Sequence, residues 1–503
     1  MTTLIDDLLN GQKDLRPAGR FARSLGDVVA PAGSRFRELI PLSRPEDGEQ
    51  YAFEVDLDRC TGCKACVAAC HSLNGLEDEE TWREVGILIG GTALHPRTQT
   101  VTSACHHCAE PGCLEGCPVL AYEKDPSTGI VRHLDDQCIG CSYCVLKCPY
   151  EVPKYSQALG IVRKCDMCHS RLAVGEAPAC VQACPTAAIA IRVVKVSDAR
   201  ADASNGIFLP DSPDPALTIP TTRYKSRKPL SERALAADHH RPEVQHTHWP
   251  LVFMLVLTQA GVGSAAGSLG GRPGAALLAT GFFLAGMAAS ILHLGQPLKA
   301  WRAFLGWRTS WLSREILAFG AVAPVIAAMG AAEAVALLPG IPPWLGVPAS
   351  WAGHVATWSA LLLGFGAIAC SAWVYHDTGR KVWKGLLSFG RFFLTAGITA
   401  LAIGGHPIPA ATVLGVKLMC EAALVCRGAQ VQSNLDELDR AARVLRGPLL
   451  FWCLLRFVCG GLALLLFASG SSGFAAVTAF LSGEILERAL FFKAGVARKM
   501  PGF

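Results

Sequence analysis

Sixteen of the 21 cysteines lie between Cys60 and Cys184, in four sets of four. Set I is Cys60, Cys63, Cys66 and Cys70. Set II is Cys105, Cys108, Cys113 and Cys117. Set III is Cys138, Cys141, Cys144 and Cys148, and set IV is Cys165, Cys168, Cys180 and Cys184. Sets I and III are spaced C-x2-C-x2-C-x3-C; set II widens the second gap to x4 and set IV to x11. A proline follows sets II, III and IV (Pro118, Pro149, Pro185), whereas His71 follows set I. Zinc wants two C-x2-C pairs per ion and explains neither the third cysteine nor the trailing proline. The C-x2-C-x2-C-x3-C-P run is the bacterial ferredoxin signature, in which three thiolates hold one cubane and the fourth reaches another. A tight loop wraps three corners of a cluster, and the proline starts the chain out of the site. Four ligands per cluster give four [4Fe–4S] clusters with no cysteine left over, which fits a wire better than a single redox site. No catalytic residues are expected here: there is no P-loop, no Rossmann fingerprint and no nucleophile–base pairing. His106 and His107, beside Cys105, read as groups behind the ligands or on the surface.

These loops need a scaffold, and the composition says where it ends. The chain has 503 residues, 51% hydrophobic and 17% charged, with a net charge of +5. That excludes a disordered or nucleic-acid-coating protein and points to membrane. The first 45 residues are polar, with no apolar signal segment, so the cysteines read as metal ligands rather than a disulfide framework. Residues 1–50 form an N-terminal extension, and 51–195 an α+β ferredoxin-like domain of two paired two-cluster modules. Residues 196–248 are rich in Pro, Ser, Asp and Arg and read as a linker with little core of its own. Residues 249–503 form an all-α bundle of eight transmembrane helices, expected at about 249–270, 275–295, 313–338, 351–375, 386–405, 409–427, 448–469 and 474–494.

The loops on the side of the iron–sulfur half carry Lys299, Arg302, Arg308 and Arg314, then Arg380, Lys381 and Lys384. Arg427, Arg440, Arg443 and Arg446 follow, and then Lys493, Arg498 and Lys499. The opposite loops carry Arg272 alone. The positive-inside rule therefore places the iron–sulfur half and both termini in the cytoplasm, on an inner-membrane multi-pass chain. No haem is expected, because His354 and His406 meet only at the far boundary and His293 ends the second segment on the near one. Ionisable groups in apolar segments need partners. Lys417 and Glu421 stand four apart on one helix and read as a neutralising pair, with Arg456, Glu484, Glu487 and Arg488 pairing between the last two helices.

The span 51–195 resembles the four-cluster iron–sulfur subunits of the molybdopterin oxidoreductases, such as those of dimethyl sulfoxide reductase, polysulfide reductase and respiratory formate dehydrogenase. That resemblance implies a pairing: Cys60, Cys63 and Cys66 with Cys184; Cys165, Cys168 and Cys180 with Cys70; Cys105, Cys108 and Cys113 with Cys148; Cys138, Cys141 and Cys144 with Cys117. It also implies that the set III cluster lies nearest the membrane. Set I departs from the pattern in lacking its proline. The span 249–500, through His293-Leu294-Gly295-x-Pro297 and Ser310-Trp311-Leu312-Ser313-Arg314-Glu315, resembles the haem-free anchor of dimethyl sulfoxide reductase and of cytoplasmic sulfite dehydrogenase. In that family the histidine at the His293 position is implicated in quinol binding. Arg302 and Arg314, close in sequence, are expected to stabilise the anionic semiquinone. The chain looks like a fusion of two subunits. The resemblance implies an electron-transfer and quinone-reactive subunit, whose partners are a large molybdopterin catalytic subunit, the quinone pool and the bilayer, with no nucleic acid. Sulfite oxidation to sulfate is the expected reaction. The alternatives are quinol-driven reduction of dimethyl sulfoxide or another S- or N-oxide, and a quinone reductase fed by a ferredoxin or a hydrogenase. A purely structural anchor would not need sixteen ligands.

Overall fold

The computed structural model describes residues 38–91, 95–228, 230, 234–337, 351–427, 436–496 and 500. Most of the N-terminal extension, together with Arg498 and Lys499, lies outside them.

The iron–sulfur half is built on short strands. β1 (Glu49–Asp56) buries Gln50, Ala52, Phe53 and Val55, and it pairs antiparallel with β8 (Ile189–Lys195). The pairing Glu49↔Lys195 through Val55↔Ile189 brings the start and end of the half together. β2 (Glu84–Gly91) and β3 (Pro96–Ser103) form an antiparallel hairpin, and the ribbons β4 (Tyr122–Lys124) with β5 (Val131–His133) and β6 (Lys154–Ser156) with β7 (Ile161–Arg163) follow. Between them lie α1 (Ala65–Asn74), α2 (Gly112–Glu115), α3 (Tyr143–Lys147), α4 (His169–Ala173) and α5 (Ala179–Gln182). Most of these strands and helices are too short to bury much apolar surface, so the core around Phe53, Val181, Ile189 and Ile191 is shared with the cysteines themselves.

The segment 196–248 departs from the expected linker. α6 (Val196–Ser204) packs Ala199 and Ala203 inward, and Pro215–Leu217 makes one 3-10 turn. β9 (Arg223–Lys225) then joins β1 in parallel, and β10 (Leu235–Ala236) extends the β2–β3 sheet. Composition suggests a tether, but Leu209, Ile219 and Ala234 are buried, and so are Thr218, Thr221 and Thr222. The segment is part of the iron–sulfur half because unpaired edges of β1 and β2 accept its backbone.

All eight expected helices are present: α7 (Trp249–Ala265), α8 (Ala275–Leu292), α9 (Trp311–Ala336), α10 (Trp351–His376), α11 (Leu386–Ile403), α12 (Pro407–Cys426), α14 (Leu450–Ala468) and α15 (Phe474–Lys493). Among the described residues seven are long and apolar enough to span a bilayer. The eighth, α15, has 20 residues, yet Glu484, Glu487, Arg488 and Lys493 lower its hydropathy. α7 is the hub. A Cβ on Gly261 would meet the Phe283 Cβ at 2.8 Å, so only a small residue lets α8 pack so closely. Between α12 and α14 the amphipathic α13 (Glu437–Arg446) starts at a capping box made by Asp436 and Asp439.

The halves meet at the set III loop and the end of the set II loop. Gln296 N donates to Ile139 O at 3.0 Å, and Gly306 N donates to Pro118 O at 2.8 Å. Ser310 Oγ donates to Gly116 O at 2.7 Å. Tyr143 OH donates to Val374 O at 2.9 Å, and the Lys147 ammonium pairs with Asp377 at 2.5 Å. A Cβ on Gly160, whose φ is +64°, would lie 2.7 Å from Gly295 O, so the joint is a contact between two bare backbones.

Candidate metal centres and membrane cavity

The cysteine loops share a local design. Left-handed backbone at Lys64 (φ 60°), Ser142 (φ 57°) and Cys168 (φ 49°) turns the chain sharply just before α1, α3 and α4. Further left-handed residues two positions after a ligand aim their own N–H groups at sulfur: His107 N to Cys105 Sγ at 3.5 Å, Gly140 N to Cys138 at 3.4 Å and Met167 N to Cys165 at 3.4 Å. Ala121 N and Ala188 N approach Cys117 and Cys184 at 3.2 Å. Such donors favour a thiolate over a thiol.

Four groups of sulfurs result. One cavity is lined by Cys60, Cys63, Cys66 and Cys184, and another by Cys105, Cys108, Cys113 and Cys148. The Cys70 thiol lies beside Cys180 and Cys168, with Cys165 close to both Cys70 and Cys180. Cys141 and Cys144 lie beside Cys117 and Cys138. Burial pushes the Cys70 thiol up to about 12 and those of Cys117, Cys148 and Cys168 to about 11. Burial opposes ionisation at Cys138 too, but His133 bonds to it and holds it below the usual thiol value. Among the described residues no three His, Cys, Asp or Glu side chains converge as ligands of a single ion would. Thiols grouped around a shared space, with N–H donors behind them, suit the corners of a cubane rather than zinc. His106 and His107 prove fully buried: His106 Nδ1 bonds Thr222 Oγ1 at 2.9 Å, and His107 Nδ1 accepts from Val131 N at 3.1 Å.

A cavity of about 430 Å³ opens where the set III loop meets the membrane helices. Ile139, Cys141, Tyr143 and Leu146 close it on the iron–sulfur side, and Met254, Met287, Phe319 and Tyr375 on the membrane side. His293, the C-cap of α8, lines it and donates from Nε2 to Cys141 O at 2.9 Å. Glu315 also lines it, buried, with Oε1 lacking a partner among the described residues. The sequence places Glu315 at the end of a notable run but assigns it no role; a carboxylate one turn into an apolar helix is the signal that points to it. Arg302 and Arg314 do not reach the cavity. Arg302 donates to Asp136 O and stacks on Trp301, while Arg314 donates to the Trp307 and Arg308 carbonyls and stacks on Trp311.

The intramembrane charges keep the expected Arg456–Glu484 pair between the last two helices but not the expected Lys417–Glu421 pair. Lys417 pairs with Glu484 across the bundle rather than with Glu421, its helix neighbour. Arg456 takes Glu421 at 3.0 Å and Glu484 at 2.9 Å, and Arg391 takes Glu487 at 3.3 Å.

A 4Fe-4S binding domain matches residues 51–72, a 4Fe-4S dicluster domain matches 97–194, and the DMSO reductase anchor subunit (DmsC) matches 275–406. The B subunit of the anaerobic dimethyl sulfoxide reductase of Haemophilus influenzae is 39% identical over 150 residues, 28% of this chain and 73% of that protein. This protein belongs to the same B-subunit family. It is a B-subunit-type iron–sulfur protein carrying a DmsC-type membrane anchor in the same polypeptide. The hydrogenase-2 operon protein HybA of Escherichia coli O157:H7 is 36% identical over 194 residues, 33% of this chain and 59% of that protein. The formate dehydrogenase-O iron-sulfur subunit of Escherichia coli K12 is 35% identical over 169 residues, 30% of this chain and 56% of that protein. The chain thus spans under two thirds of the hydrogenase and formate dehydrogenase relatives. With a B-subunit-type relay and an anchor together, it is an electron-transfer subunit held at a membrane.

Proposed function

We propose that this chain conducts electrons between a molybdopterin catalytic subunit and the quinone pool through four [4Fe–4S] clusters, with quinone bound in the cavity at His293. One observation carries the reading. The carbonyl of Cys141, a set III thiol carrier, is hydrogen-bonded to a histidine that lines an apolar cavity of quinone size. The clusters, when bound, supply one-electron relay, and the sixteen cysteines hold them in the grouping given above.

The chain's own residues handle orientation and protons. Because Nε2 of His293 donates to a carbonyl, the neutral ring carries its proton there and offers Nδ1 as an acceptor. Glu315 brings an unpartnered carboxyl oxygen into the same space, a place to hold or release the second proton. Tyr143 is tied to Val374 O and serves as wall. Met254, Met287, Ile316 and Phe319 give the quinone ring apolar contacts and exclude water.

The anchor match and the dimethyl sulfoxide reductase relatives support a sulfur-compound partner. Loop charge supports a cytoplasmic iron–sulfur half, and together they favour sulfite oxidation to sulfate, with electrons leaving the partner for quinone. Membranes containing the complex should reduce quinone when given sulfite; no such activity, with quinol oxidation by dimethyl sulfoxide instead, reverses the assignment. The likeness to HybA supports a second reading, a hydrogenase partner, which a nickel-containing rather than molybdenum-containing co-purifying subunit would reveal.

A further inference from the structure

Each gap between neighbouring cysteine groups is filled by one buried polar side chain, and they differ in charge. Arg83, at the start of the β2–β3 hairpin, is 2% exposed. The thiols of Cys180, Cys66, Cys165 and Cys70 are the charges that act on it most, so it faces both the Cys60 group and the Cys165 group. Its Nη1 donates to Thr102 Oγ1 at 3.2 Å, and that hydroxyl is 3.6 Å from Cys66 Sγ. The guanidinium stacks on Phe53, and its Nε and Nη2 have no partner among the described residues. Lys164, 3% exposed, occupies the next gap. It donates to Cys105 Sγ at 3.6 Å, to Cys165 O at 2.8 Å and to Val131 O, with Cys113 also close, between the Cys165 group and the Cys105 group. The third gap, toward the membrane, holds Tyr122, whose buried hydroxyl lies near Cys113, Cys117 and Cys144.

A buried cation is costly unless something anionic compensates it. Around Arg83 the anionic candidates are thiolates, around Lys164 they are thiolates foremost with Asp166 behind them, and each reduction adds a negative charge there. We propose that Arg83 and Lys164 set the potentials of the relay, raising those of the clusters they separate, while neutral Tyr122 adds no fixed charge in the gap before the set III cluster. The inference rests on the four-cluster reading and concerns fixed charge. A guanidinium is charged at every working pH, and burial shields both cations from screening by salt. The cluster held by Cys165, Cys168, Cys180 and Cys70 feels both cations and is the electron sink of the relay. The result is a step in potential at Tyr122, ahead of the membrane.

The test is an equilibrium redox titration of the intact chain followed by electron paramagnetic resonance, with iron and sulfide measured on each sample and Cys141→Ser marking the set III signal. Arg83→Gln should disfavour reduction about tenfold, ~59 mV for one electron, at two clusters and leave set III unmoved. Lys164→Met should do the same at an overlapping pair, Arg83→Lys should restore the first pair, and Tyr122→Phe should move none. Unchanged potentials in fully loaded Arg83→Gln and Lys164→Met overturn the proposal, as does an equal shift of all four signals or loss of iron from both variants. Iron for fewer than four clusters in the unsubstituted chain would instead defeat the reading beneath it.

Discussion

His293 and Glu315 differ in what holds them, and their variants should separate accordingly. His293 is fixed by the Cys141 carbonyl, so His293→Ala removes both an acceptor for quinone and a link to the set III loop. Quinone-linked turnover should fall at least ~100-fold, the scale of losing a positioned acid–base group, with iron content retained. Unchanged quinone kinetics would make His293 structural. Glu315→Gln keeps the shape of the cavity and should lower the quinone-linked rate while leaving reduction of an artificial acceptor at the clusters intact. The thiols give a pH prediction for the metal-free protein. Folded thiols at Cys70, Cys117, Cys148 and Cys168 sit above the ordinary value of 9.0, so their stabilising effect is complete below pH 9. It is lost as pH rises through about 11 to 12, and metal-free denaturation midpoints should fall there; a flat profile would contradict the burial of these groups. The cysteines are legible in the sequence because cluster ligation forces residue type and spacing together. The placement of Arg302 and Arg314 is not, because nearness in sequence to a helix end says nothing about which face a side chain takes.

At the scale of elements, the eight expected segments are all helical, and among the described residues seven of them are apolar enough to span a bilayer, α15 being the exception. Helix partnership does not follow from apolar length. Lys417 and Glu421 satisfy the four-residue rule on one helix, yet bundle geometry gives Lys417 to Glu484 on α15 and Glu421 to Arg456 on α14. That network makes a stability prediction. Lys417→Met leaves Glu484 with one partner fewer in a buried site and should cost ~3–5 kcal/mol, the penalty for breaking a buried ion pair. Adding Glu484→Gln should recover part of it; a cycle with no coupling would show that the pair does not matter. The glycine joint tests a second element-level contact. Gly160→Ala places a Cβ against Gly295 O on a left-handed residue, so it should loosen the β6–β7 turn from the chain that follows α8. Quinone coupling should fall more than cluster content.

For the molecule as a whole, the abrupt change in composition near Trp249 makes the two halves legible, but it misleads about the intervening segment. Polar composition reports solvent preference and is blind to backbone pairing, which is how β9 and β10 enter the sheets. Iron analysis should give about sixteen atoms per fully loaded chain, as four cubanes require; eight or fewer would remove half the wire. A reporter fused after Phe503 should be active in the cytoplasm, as the loop charges demand, and periplasmic activity would invert the topology. The stitching of segment 196–248 has one more consequence. Its strands bond to β1 and β2, and Asp211 and His239, on the iron–sulfur side, meet Arg440 on the anchor's α13. Relay and anchor are therefore joined covalently as well as by the set III interface, so one cannot leave the other when the membrane is diluted or dissolved in detergent. In a two-subunit version the final electron hop depends on how many complexes survive association. Under the proposed function every inserted molecule would have its wire attached to its outlet, and activity per molecule should be independent of concentration down to the point where the catalytic partner itself lets go.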